Sequence, residues 1–258
     1  MLTGIIKHML TKEDLIAVAS NVTGAIRDQL DRITDWDQPG NRAGQYLIDL
    51  VADKAALDYL SYANFSVLSE ESGLSKGNNG FLAIIDPIDG STNASRRLPW
   101  YAVSICFLGE SGIMAARVEN LMIPVIFEAL EGGGATFNGK QIAVDKSKQL
   151  SSSIVAVSSL PPPGMAAWQF RCYGAASLDL CCVANSTFDA YVDYGENAHG
   201  VWDYLAGVFI AQEAGAMVGE VWNRSLVTTE HSARRTPIAA CSKEIFDAMM
   251  EHRKYGKH

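Results

Sequence analysis

The sequence predicts a mixed α/β protein with a β-meander in its first half and alternating strands and helices in its second half. Four apolar, strand-like runs follow one another with only short turns between them, at 81–85, 101–108, 113–119 and 124–130. This succession is typical of a meander and predicts an antiparallel sheet. After residue 150, strand-like and helix-like segments alternate, which favours an α/β arrangement. We therefore expect two closely packed halves, residues 1–150 and 151–258.

Two amphipathic helices precede the meander. Thr11 suits an N-cap followed by an acidic first turn, and apolar residues then recur at helical spacing as far as Leu30. This pattern predicts a helix over 12–33. After a loop over 35–44, a second apolar periodicity predicts another helix over 45–62.

The second half contains shorter elements. Its apolar runs predict strands at 154–157, 188–194, 216–221 and 237–240, and helices at 177–186, 203–214 and 243–252. Between the halves, 134–140 fits the G-x-x-x-x-G-K pattern of a P-loop. However, Gln141 follows it instead of Ser or Thr, and the next residues suit a strand rather than a helix. We therefore predict an ordinary turn between strands there.

The charge balance argues against one class of partner. The 258 residues include 21 Lys and Arg against 29 Asp and Glu, a net charge of −8. Nucleic-acid-binding surfaces need basic residues to neutralise phosphates, so we expect no nucleic acid as a partner. A small phosphate ligand is compatible with this acidity, because a bound metal ion reverses the local field.

Cysteine usage and hydropathy indicate a cytoplasmic protein. The five cysteines are odd in number, contain no C-x-x-C pair and suit reduced core thiols: Cys106, Cys172, Cys181, Cys182 and Cys241. Residues 1–10 lack the apolar core of a signal peptide. No apolar run reaches the length of a membrane span, so we expect no membrane partner.

The segment 86–93 carries the clearest chemical signal. It reads Asp-Pro-Ile-Asp-Gly-Ser-Thr-Asn and follows the strand-like run at 81–85. Asp86 and Asp89 therefore stand three residues apart at a strand exit, and Gly90 lets the backbone approach a ligand closely. Carboxylate oxygens beside backbone amides and a hydroxyl predict a site for Mg²⁺ and phosphate. As an isolated pattern, the same residues also suit a simple turn.

Two further acidic motifs flank this segment. Glu70-Glu71-Ser72-Gly73 lies upstream, and Trp202-Asp203-Tyr204-Leu205-Ala206-Gly207 lies downstream, leading to Glu213-Ala214-Gly215. In this order, the three motifs resemble those of the inositol monophosphatase family of Mg²⁺-dependent, lithium-sensitive phosphatases. Weaker matches at 132–140 and 171–191 extend the resemblance over nearly the whole chain.

The resemblance implies a fold and an activity. The fold is the layered αβαβα sandwich of the inositol monophosphatase and sugar phosphatases. The activity is hydrolysis of a small phosphate monoester by metal-activated water, with two or three Mg²⁺ ions as cofactor. A homodimer and inhibition by lithium are also implied.

The resemblance also implies ligand positions. The expected metal ligands are Glu70, Asp86, the carbonyl of Ile88, Asp89 and Asp203. Glu70 and the Ser91 hydroxyl would orient the attacking water, and Glu71 would have a structural role. Asp203 could also cap the helix that follows it.

Other site residues are assigned with alternatives. Family members have an acidic residue on the second helix that reaches metal through water. Asp53 is the first choice for this role, and Asp49, on the same helix face, is the alternative. The expected substrate-binding residues are Gly90, Ser91, Thr92, Ala176 and Asp193. In inositol-specific members an acidic residue binds the ring hydroxyls; Asp193 is the better match and Glu196 the alternative.

Several substrates are candidates, in a fixed order of preference, and two residues near the expected site are given no catalytic role. Inositol 1-phosphate comes first, followed by fructose 1,6-bisphosphate, 3′-phosphoadenosine phosphate, NADP and histidinol phosphate. A hypothesis of another class is a metal-binding regulatory homologue without turnover. His199 is interpreted as a loop histidine rather than a general acid, and Glu213 as a helix residue without a catalytic role.

Overall fold

The structure is a computed structural model that describes residues 10–256. Its helices are α1 (Lys12–Leu30), α2 (Leu47–Tyr62), α3 (Ser91–Ser95), α4 (Ala176–Ala184), α5 (Val201–Glu213) and α6 (Lys243–Tyr255). Its first strands are β1 (Ser66–Ser69), β2 (Gly73–Ser75), β3 (Leu82–Asp89), β4 (Ala102–Gly109), β5 (Gly112–Asn120), β6 (Ile126–Leu130), β7 (Gly134–Phe137) and β8 (Lys140–Ile142). The later strands are β9 (Ile154–Val157), β10 (Gln169–Arg171), β11 (Ala190–Val192), β12 (Met217–Glu220) and β13 (Pro237–Ala240).

Helix α1 forms where its capping signal predicts. The Thr11 side chain accepts a hydrogen bond from the Asp14 backbone N–H, and the Asp14 carboxylate accepts one from Thr11 N–H in return. This reciprocal capping box fixes the first turn. The predicted apolar stripe is buried from Leu15 to Leu30 and packs with α2 against one face of the first sheet. The helix ends at Leu30, three residues before the predicted end.

The first sheet contains the predicted meander and one addition. Its strand order is β2-β1-β3-β4-β5-β6-β7-β8, and β3 to β8 pair antiparallel in succession. The predicted antiparallel meander is confirmed, and the sheet also contains one parallel pair, between β1 and β3. Neither β1 nor β2 was predicted. Both are short, and the pairing of β1 depends on a distant partner.

The glycine-rich segment after β6 forms turns, as predicted. Strands β7 and β8 are joined by Asn138 and Gly139, which both have positive φ, at 48° and 75°. This is the backbone of a tight hairpin turn, for which Asn-Gly is the favoured sequence. Glu213 accepts hydrogen bonds from the backbone N–H groups of Gly132 and Gly134. Glu213 therefore has a structural role here.

The second sheet completes five alternating layers. Its order is β10-β9-β11-β13-β12, with β9 parallel to β10 and β11, and β13 antiparallel to β11 and β12. Helices α4 and α5 pack against each other and contact both sheets, while α6 packs on the second sheet. The predicted αβαβα sandwich is confirmed.

The state of the cysteines and the absence of membrane-spanning helices in the described residues can be compared with what the sequence predicts. All five cysteines are free, and four are buried as expected, whereas Cys172 is exposed. Of the helices within residues 10–256, none combines the length and apolar character needed to cross a membrane. The expectation that no signal peptide is present concerns residues 1–10, of which 1–9 lie outside the described part of the chain.

Candidate active site

A bulge at the end of β3 brings two aspartates to the same cavity. In a regular strand, residues three apart point to opposite faces. Here Asp86 pairs with Ser104 and Asp89 pairs with Ala102, so two residues of β3 oppose the single Val103 of β4. The extra residue of such a bulge re-aims the side chains around it. Both carboxylates therefore line one cavity.

This cavity collects residues from all three acidic motifs. Its volume is about 250 Å³, and its lining is formed by Glu70, Asp86, Ile88, Asp89, Gly90, Ser91, Thr92, Gly174, His199 and Asp203. Carboxylate oxygens of Glu70, Asp86 and Asp203 all lie within 4.8 Å of one another. The structure thus brings together all five residues predicted as metal ligands.

Asp203 reaches the cavity from the N-terminus of α5. Its Oδ2 accepts a hydrogen bond of 2.7 Å from Gly200 N–H, so it caps the helix from the N3 position rather than as the N-cap residue. His199 Nδ1 lies 3.4 Å from the same oxygen. The Trp202 carbonyl accepts a hydrogen bond from Ser104 on β4, which ties this helix end to the first sheet.

Glu70 and Glu71 have different surroundings. Glu70 follows β1 and lines the cavity. The Glu71 carboxylate instead accepts hydrogen bonds from Arg42, at 2.6 Å, and from the Gln45 amide. His231 Nε2 donates to the Glu70 carbonyl at 3.0 Å. Glu71 therefore holds the loop before α2, which agrees with its expected structural role.

Crowding of the carboxylates changes their protonation. Burial, together with the charge of Asp203, raises the pKa of Glu70 to about 8. Burial also raises the pKa of Asp89 to about 7 and that of Asp86 well above its usual range. The pKa of His199 rises to about 9, because burial, which lowers it, is outweighed by Asp203 and Asp193. A cation bound among these carboxylates would favour their charged forms.

The expected phosphate-binding residues form the first turn of α3. Gly90 has φ of 87°, and a Cβ there would lie 3.0 Å from the Trp100 carbonyl oxygen, so the position requires glycine. Ser91 and Thr92 follow and line the cavity. The N–H groups of a first helical turn have no partner inside the helix and can bind an anion.

Asp89 is held in place by α4. Its Oδ2 accepts hydrogen bonds from both the backbone N–H and the hydroxyl of Ser177. Ala176, the residue expected to line the substrate pocket, is buried at the start of this helix. Gly174, two residues earlier, lines the cavity instead.

Asp53 and Asp49, the two candidates on α2, have different surroundings. The Asp53 carboxylate accepts hydrogen bonds from Ser69 and Ser72. Asp49 Oδ1 is buried without a hydrogen-bond partner in the described structure, and the charge of Asp49 raises the pKa of Glu70. Neither aspartate lines the cavity: Asp53 holds the Glu70 loop, and Asp49 lies close enough to Glu70 for its charge to raise that pKa.

Asp193 does not reach the cavity. It is fully buried, and its Oδ1 accepts hydrogen bonds from the Ser158 hydroxyl and from Gly195 N–H. The same oxygen lies 3.6 Å from His199 Nε2. His199, not Asp193 or Glu196, stands at the cavity wall. This position corrects the expected substrate contact at Asp193, whereas His199 lies in the loop between β11 and α5, as predicted.

Two residues that line the cavity, His199 and Gly174, were not among the predicted site residues. For His199 the sequence spacing gave an indication. His199 lies four residues before Asp203, a spacing that can bring it beside the carboxylate. Gly174 left no signal beyond its place before a helix. Arg42 and Gln45, which hold Glu71, come from a loop whose path depends on tertiary contacts.

The donor set fits a hard cation. Glu70, Asp86 and Asp203 offer carboxylate oxygens within 4.8 Å of one another, and Ile88, whose carbonyl is the expected backbone ligand, lines the same cavity. Mg²⁺ prefers oxygen ligands of this kind and is usually held by one or two carboxylates with waters. The cluster can therefore hold Mg²⁺.

Sequence comparisons agree with this geometry. A model of the inositol monophosphatase family matches residues 16–253. A relative from Archaeoglobus fulgidus, named fructose-1,6-bisphosphatase/inositol-1-monophosphatase, is 28% identical over 253 residues and covers 94% of this chain and 99% of its own. A relative from Vibrio cholerae, named Nus factor SuhB, is 34% identical over 173 residues, which cover 61% of this chain and 64% of its own.

Solved structures share the fold. A Pyrococcus horikoshii protein, described as having similarities to inositol-1 monophosphatase, superposes with a TM-score of 0.83 at 22% identity, covering 94% of this chain and 99% of its own. The extragenic suppressor protein SuhB of Bartonella henselae superposes with a TM-score of 0.79 at 25% identity over the same shares. Since the family model also spans nearly the whole sequence, the chain belongs to the inositol monophosphatase family.

Proposed function

We propose that this protein is a phosphatase that hydrolyses a small phosphate monoester with Mg²⁺ as its cofactor. The observation that carries this proposal is the juxtaposition of Glu70, Asp86 and Asp203 oxygens within 4.8 Å, in a cavity also lined by the first turn of α3. Carboxylates that hold a cation next to anion-binding amides are the two parts that a phosphoryl-transfer site requires.

The chain's own residues have distinct parts in this reaction. When bound, Mg²⁺ would neutralise charge on the phosphoryl oxygens and activate water for attack. Glu70, Asp86, Asp89, Asp203 and the Ile88 carbonyl would hold two or three such ions. Glu70 and the Ser91 hydroxyl would orient the attacking water, and Asp53 or its alternative Asp49 would reach the metal through water. The N–H groups at 90–92 would hold the phosphate.

The first candidate substrate is inositol 1-phosphate. The family match and the name of the Archaeoglobus fulgidus relative, which includes both inositol-1-monophosphatase and fructose-1,6-bisphosphatase, support it. Because Asp193 is buried away from the cavity, this choice does not rest on a ring contact at that residue. Fructose 1,6-bisphosphate, 3′-phosphoadenosine phosphate, NADP and histidinol phosphate are the alternatives. We further expect a cytoplasmic homodimer that is inhibited by lithium and binds no nucleic acid.

A second candidate is a regulatory homologue that binds metal without turnover. Relatives from Vibrio cholerae and Xylella fastidiosa, 34% and 32% identical, carry the name Nus factor SuhB, which favours this alternative. The complete set of cavity carboxylates and the Ser91 hydroxyl favours catalysis, because a homologue without turnover has no need of the water-orienting hydroxyl.

Phosphate release from a substrate panel tests the proposal. The panel contains inositol 1-phosphate and the four alternatives, each assayed with Mg²⁺ and with EDTA. We expect Mg²⁺-dependent release that is lost in Asp89→Asn, and the fastest substrate identifies the pocket's specificity. Absence of release from all five compounds by a protein that still binds Mg²⁺ would contradict the catalytic proposal and favour the regulatory alternative.

A further inference from the structure

His199 differs from every other residue that lines the cavity. Of the ten lining residues four are carboxylates, and His199 is the single one that can carry a positive charge. It stands between β11 and the N-terminus of α5. His199 contacts Asp203, one of the candidate metal ligands, and also the buried side chains of Tyr191 and Asp193 behind the cavity.

Both ring nitrogens of His199 are already engaged. Nδ1 lies 3.4 Å from Asp203 Oδ2. Nε2 lies 3.0 Å from the Tyr191 hydroxyl and 3.6 Å from Asp193 Oδ1. Tyr191 and Asp193 have no exposed surface, so they form a rigid support. Because both nitrogens face protein groups, this ring is not free to exchange a proton with a substrate.

The backbone of His199 is fixed as well. Arg235 N–H donates a hydrogen bond of 2.9 Å to the His199 carbonyl, in an isolated bridge between the two residues. Gly195 N–H and the Ser158 hydroxyl donate hydrogen bonds to Asp193 Oδ1, the same oxygen that faces His199. Contacts with Tyr191 and Asp193 therefore constrain the ring, and the bond from Arg235, in the loop before β13, constrains its backbone.

The contacts to Asp203 have a directional consequence. Gly200 N–H, at 2.7 Å, and His199 Nδ1, at 3.4 Å, both lie against Oδ2 of this carboxylate. Oδ1 is therefore the oxygen that remains for a cation. Partners that orient a ligating carboxylate typically contribute 10–100-fold to metal affinity or activity.

We propose that His199 is a positioning residue that fixes the Asp203 carboxylate for cation binding, with Tyr191 and Asp193 as the buried support of its ring. This proposal deepens the proposed function and rests on its cation site. It differs from a general-acid role, because His199 acts through Asp203 and touches neither the substrate nor the reacting atoms.

Substitution of His199 by Asn or by Gln distinguishes the contact made by Nδ1 from the contact made by Nε2. Asn places its amide nitrogen near the position of histidine Nδ1, and Gln places its amide nitrogen near that of Nε2. His199→Asn therefore keeps a donor for Asp203, whereas His199→Gln keeps only the contact with Tyr191. His199→Ala removes both contacts, and melting temperatures in EDTA identify any variant that fails to fold.

The measurement is the dissociation constant for Mg²⁺, determined by calorimetry on metal-free protein without substrate. We expect His199→Ala and His199→Gln to bind Mg²⁺ about 10-fold or more weakly than the wild type. His199→Asn should stay within about 3-fold, which is rescue by the variant that restores the Asp203 contact. The Mg²⁺ concentration for half-maximal phosphate release should change in the same order.

Three results would overturn the proposal. Unchanged affinity in His199→Ala would show that Asp203 needs no such support. Equal affinities of the Asn and Gln variants would show that the Nδ1 edge is not the one that acts. Absence of Mg²⁺ binding by the wild type would instead contradict the cation site itself, so failure of the proposed function can be distinguished from failure of this inference.

Discussion

Two groups of acidic side chains, one on the eight-stranded sheet and one around the cavity, are neutralised in different ways. On the side facing α1, Glu119 and Glu128 pair with arginines: Arg117 contacts both, and Arg27 lies 2.9 Å from Glu119. At the end of β3, Glu70 and its neighbours face a cavity in which no lining residue is a lysine or an arginine. In the first group, arginines of the same chain neutralise the carboxylates. We call this set the arginine-paired group: Glu119, Glu128, Arg117 and Arg27.

The second group, Glu70, Asp86, Asp89 and Asp203, is the cavity group. Burial and mutual repulsion raise the pKa values of three of its members. Buried charges are stable only when they are paired or bind a cation. The comparison teaches that two similar clusters of carboxylates differ in function: one is balanced by its own arginines, whereas the other has four carboxylates and a single histidine, so it needs a bound ion for the remaining charge.

The largest effect should follow from removing a charge in the cavity group. Asp89→Asn should lower kcat/KM for the best substrate by about 100-fold or more, since orienting partners alone contribute 10–100-fold and a ligand contributes more. Glu119→Gln, in the arginine-paired group, is the matched control and should retain activity within about 2-fold. Similar losses in both variants would erase the distinction between the two groups.

A large effect on stability should follow from breaking the arginine-paired group. Arg117→Leu leaves two partly buried carboxylates without their main partner and should lower the free energy of unfolding by about 3 kcal/mol. Denaturant melts measure this loss. Lys54→Gln, in the exposed pair with Asp58, should change stability by at most about 0.5 kcal/mol. Mg²⁺ should not rescue Arg117→Leu, whereas a rescue would contradict the assignment of Arg117 to a metal-independent group.

Mg²⁺ itself should stabilise the wild type through the cavity group. At a concentration of about 100 times the dissociation constant, binding contributes about 2.7 kcal/mol, which raises the melting temperature by about 5–10 °C in a chain of this size. Differential scanning calorimetry at pH 8 measures this shift. The double variant Asp86→Asn/Asp89→Asn should lose it. A shift that persists in the double variant would place the ion elsewhere.

The smallest expected effect is a pH dependence of the metal-free protein. Glu70 and Asp89 have folded pKa values of about 8 and about 7, above their unfolded values near 4. The folded state therefore binds more protons, and the free energy of unfolding falls as pH rises from about 4 to about 8. The raised pKa of His199, about 9, acts in the same direction above pH 6.5.

Melting temperatures from pH 5 to pH 8 in EDTA should accordingly decline, and saturating Mg²⁺ should reduce the decline because the bound ligands stay deprotonated. Asp89→Asn should show a shallower decline than the wild type in EDTA. A melting temperature that rises with pH in EDTA would contradict the raised pKa values.

The residues of the cavity group were predicted from three short motifs, and their roles as metal ligands were implied by the resemblance to the inositol monophosphatase family. Asp86 and Asp89 lie on one strand end, and Asp203 lies in the first turn of a helix, so short motifs contain most of the information. The parallel pairing of β1 with β3 was not predicted, because it depends on a connection through β2 and a loop rather than on local pattern.

The residues whose surroundings the sequence could not predict depend on tertiary contacts. Asp49 and Asp53 share one helix face, and only the serines of the Glu70 loop distinguish them. Asp193 and His199 are separated by a loop, and its path places the histidine at the cavity wall and buries the carboxylate behind it. Neither choice can be made from spacing alone.

The most direct test of this account is removal and restoration of Mg²⁺ in the wild-type protein while phosphate release from the best substrate is followed. The account predicts that release stops after treatment with EDTA and returns when Mg²⁺ is added in excess, because His199 is the one cationic side chain among the lining residues and cannot balance four carboxylates. Release at an equal rate in EDTA would contradict the central claim that these carboxylates act by binding a cation.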